Sequence, residues 1–100
     1  MTFSRRDLPL REIEKLCRQY RVHELALFGS VLGDKFNAQS DVDLLVEFEP
    51  DAQVSFVTLS RMQRELSTLF HRRVDLVPKT GLKPRIRHAV LDTAEVVYAA

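Results

Sequence analysis

The chain has 100 residues, the length of one modest domain, and its 45% hydrophobic and 29% charged residues describe a globular protein, not a disordered or fibrous one. Fifteen Lys and Arg against fourteen Asp and Glu leave a net charge of +1, which excludes polyelectrolyte attraction to nucleic acid, so a charged partner has to be recognised locally. Cys17 is the only cysteine, no apolar run approaches the ~18 residues of a membrane span, and MTFSRRDLPLR lacks the apolar stretch of a signal peptide. We therefore expect a single domain over 1–100, without disulfides or cysteine-based metal sites, in a reducing, cytoplasmic setting.

In chain order, Asp7 can cap a helix that runs to Tyr20, with Leu8 and Pro9 in its first turn and Ile13, Leu16, Cys17 and Tyr20 recurring at helical spacing. Glu24 to Phe28 and Val42 to Phe48 read as strands, the first stopped by Gly29. Between them, Ser30 to Ser40 carries Gly33, Asp34 and Asn37, a turn-forming composition with room for one short helical turn. Phe56, Leu59, Met62, Leu66, Leu69 and Phe70 form an apolar stripe that predicts a core-facing helix over Ser55 to Phe70. Arg73 to Val77 is a third strand, Lys83 to Leu91 a helix with Pro84 in its first turn, and Ala94 to Tyr98 a last strand. A crossover helix between the second and third strands favours an α/β fold with a small mixed sheet and helices packed on it.

Asp41 and Asp43 are two apart, so at a strand their carboxylates share one face about 6.5–7 Å apart at Cα, with Val42 turned to the core. Such a pair suits two-metal phosphoryl transfer, in which ions ~3.5–4 Å apart need oxygen ligands on either side. A third carboxylate should come from an adjacent strand. Asp75 is the candidate, because between Val74 and Leu76 a buried lone charge would be costly without a cation; the alternative is an exposed edge position. Glu47, at the same strand parity as Asp41 and Asp43, is the reserve. Gly29 lets backbone approach a phosphate, and Ser30, opening a helical turn, offers N–H and hydroxyl to anionic oxygens, although alone such a pair is a common turn.

Gly29-Ser30, ten residues, then Asp41-x-Asp43 is the informative combination. The stretch LALFGSVLGDKFNAQSDVDLLVEF, followed by RRVDLV and LKPRIR, resembles the minimal nucleotidyltransferase (MNT) domain of the polymerase-beta-like superfamily, in particular the MNT antitoxins encoded beside HEPN-domain toxins. The resemblance implies a nucleotidyltransferase fold in which Gly29 and Ser30 hold the triphosphate. It also implies that Asp41, Asp43 and Asp75 bind two Mg2+ ions, with Asp75 helping to activate the acceptor hydroxyl. The activity so implied is transfer of AMP from ATP to a hydroxyl, a tyrosine of a HEPN toxin held in a hetero-oligomer; neither a membrane nor direct nucleic-acid binding is expected. Where many members carry an arginine four residues after the motif glycine, this chain has Gly33, with Lys35 nearby. That departure leaves open a catalytically silent antitoxin acting by occlusion. An aminoglycoside-type small-molecule transferase and a structural domain with accidental carboxylates are further alternatives.

The remaining residues have plain readings. Cys17 belongs to the apolar face of the first helix, and His23, His71 and His88 show no ligand spacing and are expected at the surface. Arg72, Arg73, Lys79, Lys83, Arg85, Arg87 and His88 could line a basic face toward a triphosphate or an acidic or RNA-bearing partner, or could simply be solvated.

Overall fold

The computed structural model of the chain describes residues 8–33 and 39–100. Helix α1 (Leu10–Gln19) leads into strand β1 (Val22–Phe28), a 3-10 turn (Gly29–Leu32) and strand β2 (Val42–Phe48). Helix α2 (Phe56–Phe70), strand β3 (Val74–Pro78), a second 3-10 turn (Lys79–Gly81), helix α3 (Pro84–Thr93) and strand β4 (Glu95–Ala99) complete it. The sheet has the order β3-β2-β1-β4; β1 runs antiparallel to β2 and β4, while β2 and β3 are parallel. The expected mixed α/β architecture is the one observed.

Strand alternation divides the sheet into two faces. Val42, Leu44 and Val46 of β2 and Leu25 and Leu27 of β1 are at most 1% exposed and join Ile13 and Cys17 of α1 and Met62 and Leu66 of α2 in one core. The stripe read from α1 therefore packs as expected. Its cap differs: α1 starts at Leu10 with Pro9 at the capping position, so Pro9 precedes the first turn, and Asp7 lies outside the described residues. Ser55 caps α2, its hydroxyl accepting the Thr58 N–H at 3.1 Å, and His71 ends it in the left-handed region at φ 55°. Phe56 departs from the stripe: it is 81% exposed, because the first turn of α2 projects beyond the core that Met62, Leu66 and Phe70 fill.

Helix α3 contributes no buried residue, and Ile86 and Leu91 are exposed. It begins at Pro84, one residue after the expected start at Lys83, which stands at its capping position, and runs two residues past Leu91 to Thr93. Among the described residues, no helix is long and apolar enough to cross a membrane.

Candidate active site

The second face of the sheet carries the aspartates. Strand β2 begins at Val42, so Asp41 stands at the strand mouth and Asp43 is the second residue of the ladder. Val42 is fully buried on the helix side, which turns Asp43 to the opposite face. Asp43 and Asp75 are register partners across the parallel β2–β3 pair, which sets their Cα atoms about 4.8 Å apart with side chains on the same face. The topology thus brings together two carboxylates 32 positions apart in sequence, on adjacent strands as expected. Burial does not single out Asp75: it is exposed on an edge strand, the alternative the sequence left open, and what distinguishes it is its position beside Asp43.

Electrostatics record the crowding. Partial burial, then the charges of Asp75 and Asp41, push the Asp43 carboxyl above the usual carboxylate range. Asp41 is drawn outward, its Oδ2 3.8 Å from Nε of Arg73 across an exposed pair. Among the described residues, no three His, Cys, Asp or Glu side chains close into a ready-made metal cage. The all-oxygen donor set of the three aspartates is the kind that could hold a hard divalent cation.

Gly29 fits beneath this group. It has φ +76°, a left-handed conformation that L side chains rarely adopt, and a Cβ placed on it would lie 2.6 Å from Oδ2 of Asp43. The antiparallel pairing of Phe28 with Asp43 causes this approach by delivering the chain to the aspartate just as β1 ends. Ser30 follows within the 3-10 turn, a kind of chain reversal whose leading backbone N–H groups lack partners inside the turn and suit an anion. Lys35 lies outside the described residues.

A cavity of about 620 Å³ adjoins the turn, lined by Gly29, Leu32 and Gly33 on one side and by Ile86, Ala89, Val90 and Thr93 of α3 on the other. No spacing in the sequence announced these α3 residues, since a loosely packed helix leaves only a weak apolar stripe. Glu47, the reserve ligand, sits at the far end of β2 with Lys79 Nζ 3.5 Å from its Oε1.

The remaining candidates fall where their plain readings put them. Cys17 is fully buried, and desolvation pushes its thiol up to about 12. His23, His71 and His88 are exposed, with His88 Nε2 3.2 Å from Asp92 one helical turn on. Of the basic residues, Lys79 engages Glu47, Arg73 lies beside Asp41 and Arg72 donates to the Ser40 carbonyl at 3.2 Å, while Lys83, Arg85 and Arg87 are exposed.

Comparison with known proteins agrees with this geometry. Residues 10–97 match the family model described as Nucleotidyltransferase domain. The chain is 37% identical over 99 residues to the protein adenylyltransferase MntA of Thermococcus cleftensis, covering 91% of this chain and 96% of that one. A solved structure described as a candidate minimal nucleotidyltransferase is 33% identical, with a TM-score of 0.70 over 87% of this chain and 85% of its own. A chain from a toxin-antitoxin crystal structure with AMP-PNP has a TM-score of 0.74 at 20% identity, over 93% of this chain and 75% of its own, and shares the fold. So does one from the tri-AMPylated Shewanella oneidensis HEPN toxin in complex with its MNT antitoxin, with a TM-score of 0.65 at 19% identity over 91% of this chain and 70% of its own. On sequence and fold together, the chain belongs to the nucleotidyltransferase family, as an enzyme homologous to the protein adenylyltransferase MntA.

Proposed function

We propose that this chain, as one catalytic unit over 1–100, is a metal-dependent adenylyltransferase. It moves AMP from ATP to a tyrosine hydroxyl of a HEPN toxin with which it forms a hetero-oligomer, and thereby acts as an antitoxin in a reducing, cytoplasmic setting. The observation that carries the reading is the in-register placement of Asp43 and Asp75 above Gly29. The names of the relatives support adenylyl transfer, and the Shewanella complex pairs an MNT antitoxin with an AMP-modified HEPN toxin.

Asp41, Asp43 and Asp75 would hold two Mg2+ ions, which when bound lower the pKa of an attacking hydroxyl and neutralise the leaving pyrophosphate. The backbone turn at Gly29 and Ser30 would seat the triphosphate. The adjoining cavity has a volume in the usual range for small-molecule sites and apolar walls that suit a nucleoside. The acceptor oxygen forms its bond to the α-phosphorus as the bond to the β-phosphate oxygen breaks. Asp75, exposed on the edge strand, is where an incoming hydroxyl meets the site.

The test is incubation with α-labelled ATP, Mg2+ and the product of the gene beside its own. Label should appear on a tyrosine of the partner and vanish with EDTA or in Asp43→Asn. Gly33, where the resemblance leads one to expect an arginine, favours one second reading, a silent antitoxin that binds its partner without turnover. That reading predicts partner binding that survives Asp43→Asn, with no label transferred by the wild type.

A further inference from the structure

The outer edge of β3 is closed by two side chains of α2. The Arg73 carbonyl accepts the Val42 N–H at 2.9 Å, so by strand alternation the odd residues of β3 bond to β2 and the N–H groups of Val74 and Leu76 turn away from it. Unpaired, these donors would be an open edge. Instead the Val74 N–H donates to Ser67 Oγ at 3.0 Å and the Leu76 N–H donates to Gln63 Oε1 at 2.9 Å. The Ser67 hydroxyl in turn donates to the Gln63 carbonyl at 2.9 Å, so the two residues, one helical turn apart, act as one bracket. All of these groups are partly buried, where such bonds are least diluted by water.

The two bracketed residues are the neighbours of Asp75. Their side chains are buried at 1% and 5% exposure, whereas the Asp75 side chain is exposed on the other face. The exposed Asp75 side chain stands beside the like charge of Asp43, its register partner, so its placement depends on the backbone that carries it. We infer that Gln63 and Ser67 are positioning residues for the metal site, fixing the backbone on both sides of Asp75 so that its carboxylate stays opposite Asp43. The inference rests on the reading of Asp75 as a metal ligand.

Mn2+ titration of the whole chain, followed by electron paramagnetic resonance, tests it without need of an acceptor. Gln63→Leu, which keeps the volume and removes the acceptor, should weaken Mn2+ binding about 10- to 100-fold, the range for partners that orient a metal ligand. Gln63→Glu keeps an acceptor at that position and should bind within about threefold of wild type. In an Asp75→Asn background, Gln63→Leu should cause no further loss, because its effect passes through Asp75. Ser67→Ala and Ser67→Thr give the same comparison should Gln63→Leu fail to fold.

Wild-type affinity in folded Gln63→Leu, or an equal loss in the Asp75→Asn background, overturns the positioning role while leaving the metal site in place. Wild-type Mn2+ affinity in Asp75→Asn alone removes Asp75 from the metal site, and the inference falls with it. The single and double variants therefore tell the two failures apart.

Discussion

The Cα of Gly29 lies so close beneath the carboxylate of Asp43 that a methyl group there would come within 2.6 Å of Oδ2 and 3.4 Å of Cγ. The end of β1 and the start of β2 meet at this contact, and its backbone conformation is one that only glycine adopts without strain.

Gly29→Ala should therefore affect both stability and site. The left-handed conformation costs an L residue about 1–2 kcal/mol, and the new methyl group displaces the Asp43 carboxylate. Urea denaturation should show a loss of that size, and Mn2+ titration a weaker site. Unchanged Mn2+ affinity would mean that the aspartate can move aside without consequence.

Asp43→Asn separates stability from activity. The carboxyl of Asp43 is raised in the folded protein above its unfolded value, so the folded state binds more protons. The stability that this group supports is present below the unfolded pKa and declines as pH rises through the raised folded pKa. At neutral pH without metal, removing the charge should raise the melting temperature slightly while abolishing transfer, and the gain should shrink as pH falls through the raised pKa of the wild-type carboxyl. Unfolding of Asp43→Asn would mark this aspartate as structural.

Asp75→Asn should lose about a hundredfold or more in single-turnover transfer, roughly 2.7 kcal/mol of transition-state stabilisation. ATP affinity measured beside it should fall much less, since Asp41 and Asp43 remain. Near-normal transfer would leave Asp75 an ordinary edge-strand carboxylate. Glu47 would not inherit its role, being engaged by Lys79 at the other end of β2.

Cys17 offers a check on the core that is independent of function. With its thiol fully buried and pushed up to about 12, it should resist Ellman's reagent in the native protein at neutral pH and react fully in urea. Fast native reaction would show that α1 opens readily from the sheet.

Local pattern was enough to read α1, β2 and α2, because each carries its apolar residues at its own period: Ile13 and Cys17, Val42, Leu44 and Val46, Met62 and Leu66. The Asp41-x-Asp43 pair and its glycine were legible for the same reason, since strand alternation and a chain reversal are short-range matters. Three things depended on tertiary structure. The apolar stripe of α2 could not say that Phe56 lies beyond the core, because exposure depends on where the sheet ends. The sequence around Asp75 pointed to it through burial, yet the residue is exposed, and it is strand register that sets it beside Asp43. The bracket of Gln63 and Ser67 had no signature, for an edge N–H finds its partner only once a helix lies beside it. Period and turn chemistry act over a few residues and are written in the sequence itself, whereas which strands become neighbours is settled by packing across the whole chain.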